Sequence, residues 1–175
     1  MNYGIYKNAR NASWQCIIDC GIRSLPIKPV KIAKYYGIKC KKIADDEMDN
    51  CSGKIKLIGK QVYILYNAND IPERQRFSIM HELGHYVLGH LDDNVLTKEN
   101  EESADRFAAD VLMPACVLWG LNIHKAEEIA DLCNVSMQAA NIRAERMEIL
   151  YRRNMFLSHP LERQVFQQFR KFISR

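Results

Sequence analysis

The pentapeptide His81-Glu82-Leu83-Gly84-His85 constrains this chain more than any other stretch. Residues four apart in an α-helix lie one turn above each other, so a helix here sends both imidazoles from one face. Two nitrogens converging at that spacing supply half of a tetrahedral zinc site. Glu82 projects about 100° further round the helix, beside such a metal rather than onto it. That is the place for a general base acting on a metal-activated water. The motif therefore requires a helix to carry it and a third ligand from elsewhere in the chain.

The flanking sequence provides the helix. Lys54–Ile58 and Gln61–Tyr66 are rich in β-branched and aromatic residues, with Gly59-Lys60 between them, and predict a hairpin. Asp70 is the expected cap of the next helix and Pro72 sits in its first turn. That helix is predicted over about Ile71–Leu88, anchored by Phe77, Met80, Leu83 and Val87 and ended by Gly89. Upstream, helices are predicted from Lys7 to about Gly21 and from Val30 to Tyr36, the second closed by Gly37. Asp45-Asp46-Glu47 and Asp49-Asn50 read as loop. Lys28, Lys31, Lys34, Lys39, Lys41 and Lys42 read as a solvated face, with a basic patch for an acidic partner as the alternative.

The third ligand is sought downstream. An extension of the motif that supplies a third histidine needs glycine at 88 and histidine at 91, whereas this chain has leucine at both. His90 misses the place by one residue and reads as a surface histidine or one that backs a ligand. The helix predicted over Glu99–Met113, stopped by Pro114, offers Glu99, Glu101 and Glu102. Its apolar stripe is Ala104, Phe107, Ala108, Val111 and Leu112, and Glu101 continues that inward face through Asp105, Ala108 and Leu112. Glu102 lies about 100° away, near Arg106, and stays as the alternative ligand. A buried carboxylate needs a metal or a partner, so Glu101 is the expected ligand and would be buried. Asp105, expected to be buried beside it, suits a supporting role: accepting the outer N–H of His81 or His85.

Composition narrows the class. The 175 residues are 47% hydrophobic and 26% charged with net charge +4, an ordinary globular balance too weakly basic to argue for nucleic acid by itself. No stretch is apolar enough to span a membrane, and the first ten residues are too polar for a secretory signal. With six cysteines, that context points to reduced thiols and a cytoplasmic location. Cys16 and Cys20 are one helical turn apart, but no second pair matches them, and they read as buried thiols.

Two blocks then resemble a known family. Arg74-Gln75-Arg76-Phe77-Ser78-Ile79-Met80-His81-Glu82-Leu83-Gly84-His85 is one, and Glu101-Glu102-Ser103-Ala104-Asp105-Arg106-Phe107-Ala108-Ala109-Asp110-Val111-Leu112-Met113-Pro114 the other. Together with Leu25-Pro26 through Tyr36-Gly37-Ile38 they resemble the ImmA/IrrE family of zinc metallopeptidases over roughly residues 10–150. Val111 stands where leucine is more usual. The resemblance implies a compact zincin-like α+β domain, to which the pattern of the residues adds a small antiparallel sheet and a C-terminal helix-turn-helix-like helical subdomain. It implies one zinc held by His81, His85 and Glu101, with Glu82 catalytic and Asp105 in support. It also implies a protein substrate, a helix-turn-helix repressor whose cleavage relieves repression. The expected division is a peptidase domain over 1–120, a helical pair over 121–150 and a basic helical tail over 151–175.

Two further expectations concern partners. The substrate would lie extended along an edge of the hairpin sheet, held by main-chain hydrogen bonds. Residues 125–147 have the small, turn and apolar residues of a helix-turn-helix around Asn134, with Arg143 and Arg146 on the second helix. Binding of DNA, or of a repressor without cleavage, is the alternative function these helices offer. Glu127, Glu128, Asp131, Glu145 and Glu148 interleave with the basic residues and favour a structural hairpin. The oxyanion donor is open among Tyr86, His90 and His124, and the oligomeric state is not legible.

Overall fold

A computed structural model describes residues 3–44, 48, 51–92 and 96–174. The acidic stretches 45–47 and 49–50, read from sequence as loop, lie outside the described residues. The fold is α+β, with three strands among the described residues and helices on either side of them in sequence. Two compact units are present: Met1–Ala12 with Lys28–Ala108, and Ser13–Ile27 with Ala109–Arg175. No helix among the described residues is long and apolar enough to cross a membrane, and no disulfide joins the six cysteines.

The first unit is built on a sheet of β1 (Lys39–Ile43), β2 (Gly53–Ile58) and β3 (Gln61–Asn67) in the order β1-β3-β2. The hairpin β2–β3 forms as the sequence predicts, pairing Lys54 with Leu65 and Lys56 with Tyr63, and Gly59 turns it with φ +63°. The sheet is mixed, however, because β1 runs parallel to β3 with Lys39 opposite Tyr63 and Ile43 opposite Asn67. Strand β1 gave no sequence signal. Three of its five residues are lysines and only Ile43 is buried, so the apolar alternation that betrays a strand is missing.

Two helices pack on this sheet, α2 (Pro29–Tyr35) against β1 and α3 (Pro72–Val87) against β2 and β3. Ile79, Met80 and Leu83 of α3 are buried, as is Ile64 in the middle of β3. Asp70 does not cap α3 as expected. Ile71 occupies the cap position without a side-chain bond, and the Asp70 carboxylate lies 3.4 Å from Arg74. Gln75 does the fastening instead: its Nε2 donates to the carbonyls of Asn67, Ala68 and Asp70 at 3.1, 3.1 and 2.8 Å. That ties the end of β3 to the first turn of α3 and fixes where the histidine helix starts. After a turn of 3-10 helix at His90–Asp92, α4 (Lys98–Leu112) runs through the end of this unit, with Arg106 over the Tyr6 ring of α1 (Tyr3–Asp19) at 4.4 Å.

The second unit is helical. It contains α5 (Ala115–Gly120), α6 (Ala126–Cys133), α7 (Met137–Arg152), α8 (Pro160–Gln168) and α9 (Arg170–Ile173). The turn at Asn134 is as expected, left-handed with φ 52°, and Ser136 caps α7 by accepting from Ala139 N at 3.3 Å. The segment after 150 is no appended arm: Val165 and Phe169 are fully buried, and Gln168 Nε2 donates to the carbonyls of Ile17 and Ile22 at 2.8 and 2.6 Å. Arg143 is 3% exposed and its Nη2 lies 2.7 Å from Asp110 Oδ1. A guanidinium committed to a buried carboxylate cannot also meet a phosphate, so the helix-turn-helix loses one of its two helix-borne arginines as a nucleic-acid contact.

Candidate metal centre

Helices α3 and α4 bring the sequence-selected residues together. His81 and His85 lie one turn apart on α3, with their Nε2 atoms 3.0 Å from each other. From α4, the Glu101 carboxylate reaches them, Oε2 at 3.3 Å from His81 Nε2 and Oε1 at 3.6 Å from His85 Nε2. Among the described residues these three form a group able to hold a metal ion, with all their donor atoms within 4.8 Å. Ligand atoms bound to a tetrahedral zinc at 2.0–2.2 Å stand about 3.3–3.5 Å from one another. The three observed separations bracket that value. Glu102 does not join them; its carboxylate lies 3.9 Å from Lys98 Nζ.

The outer nitrogens are held as well. His81 Nδ1 lies 2.8 Å from Asp105 Oδ1, and a carboxylate can only accept, so His81 carries its proton on Nδ1. Its Nε2 then presents a lone pair to the site. His85 Nδ1 lies 3.0 Å from His90 Nδ1, and donation from His85 leaves the second Nε2 lone pair facing the first. Two lone pairs and a carboxylate converging at this range repel unless a proton or a cation lies between them. The donor set therefore fits a small tetrahedral cation with borderline-soft character, as zinc has.

Protonation follows the same geometry. Burial lowers the His81 pKa, but the Asp105 hydrogen bond and the charges of Asp105, Glu82 and Glu101 outweigh it, and the net shift is upward. His85, 2% exposed, is pushed down to about 4 by burial and by the neighbouring His81 and His90. Glu82 is raised to about 7, chiefly by burial and further by Glu101, against the opposing pull of His81 and an N–H from Ile55. A carboxyl that gains a proton near neutrality is matched to general acid–base work.

Burial of Glu101 and Asp105 departs from expectation. Glu101 is 48% exposed and Asp105 59% exposed, not buried on the helix's inward face. The buried residues of α4 are Ser103, Ala104, Phe107, Ala108, Asp110, Val111 and Leu112, and Glu101 and Asp105 stand at the margin of that stripe. The inward face includes the polar Ser103 and Asp110, so it is centred further from Glu101 and Asp105 than the apolar residues alone indicate. Glu101 and Asp105 consequently edge an open site.

Two glycines set the approach of the surrounding elements. A Cβ on Gly84 would lie 3.1 Å from Phe107 Cδ1 and 3.2 Å from both Ala104 Cα and O, so only glycine lets α4 lie this close to the histidine helix. A Cβ on Gly53 would lie 3.0 Å from Glu82 Cγ and Oε1. Strand β2 thus passes directly over Glu82, where Ile55 donates its N–H to the carboxylate. Gly53 and Ile55 escaped the sequence reading, although a glycine at a strand end is a recognised sign of close approach. Of the oxyanion candidates, Tyr86 stacks edge-on to Tyr36, His90 backs His85, and His124 lies in the second unit against Tyr151.

Comparison with known proteins agrees with this arrangement. The model of the IrrE N-terminal-like domain, Peptidase_M78, matches residues 33–145, which include α3, α4 and the whole sheet. A comparison with curated proteins finds no match. The match covers well over half of the chain and contains every residue of the candidate centre, so the chain belongs to the ImmA/IrrE family of metallopeptidases.

Proposed function

We propose that this protein is a zinc-dependent endopeptidase of a helix-turn-helix repressor, and that its cleavage relieves repression. The observation that carries the chemistry is the convergence of His81, His85 and Glu101, with the half-buried Glu82 beside them. The repressor as substrate rests on the family resemblance. His81 and His85 would hold the metal through Nε2 and Glu101 through its carboxylate, and Asp105 and His90 would fix the ring orientations from behind. Bound there, zinc would supply a Lewis acid that polarises a peptide carbonyl and acidifies a coordinated water.

The protein's own residues do the rest. Glu82 accepts a proton as the water attacks the scissile carbonyl and returns it to the departing amine. Its position against β2 places that transfer at the sheet edge, where Ile55 N–H keeps the carboxylate oriented. The substrate would lie extended along β2, whose outer edge no other strand among the described residues covers.

Two measurements test the proposal. Purified protein is expected to bind about one zinc per chain, lost on His81→Ala. Co-expression with the repressor encoded nearest to it should give cleavage with the wild type and none with Glu82→Gln, whose zinc content stays intact. Zinc content unmoved by His81→Ala would overturn the metal assignment, and equal repressor cleavage by Glu82→Gln would overturn the role of Glu82.

A further inference from the structure

The three residues of the candidate centre are not held alike. His81 and His85 lie well inside α3, which starts at Pro72, and His85 is 2% exposed. Glu101 stands on the first turn of α4, where backbone N–H groups lack partners within the helix and the chain frays. Burial does little for that turn: Lys98 and Glu99 are exposed, Asn100 is half-buried, and Glu101 is itself exposed. A metal ligand must stay within about ±0.2 Å of its place, so this turn needs a fastening of another kind.

Thr97 and Asn100 supply one. Thr97 N–H donates to Asn100 Oδ1 at 2.8 Å, and the Thr97 hydroxyl bonds the same oxygen. In return Asn100 N–H donates to Thr97 Oγ1 at 3.2 Å. The exchange is a capping box, with Asn100 in the place usually taken by Glu or Gln. It closes on the backbone of the ligand, because Glu101 N–H donates to Thr97 O at 3.1 Å. It is also tied to the buried side of α4: Ser103, 1% exposed, donates its hydroxyl to Asn100 O at 2.9 Å. A line of hydrogen bonds thus runs from the core through Asn100 and Thr97 to Glu101.

We infer that Thr97 and Asn100 are positioning residues for the metal centre: their reciprocal cap holds the first turn of α4 in the form that presents Glu101 to the ion. The inference rests on the metallopeptidase reading. Two ligands are set by burial within a helix and the third by a cap. Losing a cap shifts the balance between a formed and a frayed first turn by about fivefold. Apparent metal affinity falls with the fraction of molecules that have the ligand in place.

The test is zinc titration of the full-length metal-free protein against a chromophoric chelator. Thr97 is exposed, so Thr97→Val removes the hydroxyl without leaving a cavity. Thr97→Val and Asn100→Ala should each weaken zinc binding about two- to fivefold, and Thr97→Ser, which keeps the oxygen, should restore it to within about 1.5-fold of the wild type. Ser136→Ala, which removes the cap of α7 in the second unit, should lower the melting temperature comparably and leave zinc affinity unmoved. In a Glu101→Gln background, Thr97→Val should cost less than about 1.5-fold, because the residue it positions is gone. Unchanged affinity in Thr97→Val, failure of Thr97→Ser to restore it, an equal loss in Ser136→Ala, or an undiminished loss in the Glu101→Gln background would each overturn the inference while leaving the metal reading intact. A wild-type protein that takes up no zinc would overturn the metal reading and the inference with it.

Discussion

Gly84→Ala tests the idea that the metal centre is spaced by a missing side chain. Two effects oppose each other. Alanine in a helix interior is favoured over glycine by about 1 kcal/mol. Against that, the new Cβ would lie 3.1 Å from Phe107 Cδ1 and 3.2 Å from Ala104 Cα and O. Phe107 is fully buried and Ala104 offers backbone, so neither can swing aside, and α4 must shift by a few tenths of an ångström. Overpacking of this kind costs about 1–3 kcal/mol, leaving a net loss of roughly 0–2 kcal/mol. The larger consequence falls on the site, because α4 carries both Glu101 and Asp105. Coordination distances hold to about ±0.2 Å, so the same shift is enough to spoil the third ligand. Zinc affinity, measured by competition with a chromophoric chelator, should fall about tenfold or more, and urea unfolding of the metal-free protein should show the smaller stability loss. A variant stabilised by the full helix-propensity gain with zinc affinity unchanged would refute the spacing argument.

Gly53→Ala should leave zinc content unchanged and depress turnover, because its Cβ would meet Glu82 Oε1 at 3.0 Å; metal analysis beside a peptidase assay checks the split. Glu101→Gln should weaken zinc binding by at least about tenfold while Glu102→Gln leaves it unchanged, and the reverse order would move the third ligand to Glu102. For the metal-free protein, the pH dependence has a worked sign. Between about pH 4.5 and 6.5 the depressed His85 makes folding more favourable as pH rises and the raised Glu82 makes it less so, and the two oppose. Above pH 6.5, Glu82 and His81 both keep protons in the folded chain that the unfolded chain has released, so the metal-free melting temperature should fall from pH 6.5 to 8. Zinc requires deprotonated ligands, so its stabilising increment should grow over the same range; a metal-free melting temperature that rises there would contradict the assigned shifts.

What could be read from sequence were the local features. The helix around His81 and His85, the hairpin and the left-handed turn at Asn134 each rest on periodicity or on residues with special backbone preferences. Features set by neighbours in space were not legible. Strand β1 is held by β3 rather than by any alternation of its own, and the tie of Gln75 to three carbonyls before α3 depends on where the chain turns rather than on a local cap signal. Helical phase directs Glu101 toward the histidines but does not give its exposure, since phase gives direction round a helix and not what lies in that direction. Ile55 illustrates the limit: its part in the site is a backbone N–H, which no side-chain pattern can encode.

The two middle positions of the histidine motif also have physical content. Leu83 is fully buried, which restricts the rotation of α3, and Gly84 admits α4 to the face from which Glu101 arrives. A side chain at 84 would hold the helices apart even with both histidines and Glu82 unchanged, and a polar residue at 83 would lose the burial that aims them. The same reasoning applies across the sheet, where the absence of a side chain at Gly53 brings the strand edge onto Glu82. The candidate site is thus assembled by two close approaches, one bringing α4 and one bringing β2. Metal affinity should respond to the first and turnover to the second, which is why Gly84→Ala and Gly53→Ala are expected to separate binding from catalysis although neither residue has a functional group.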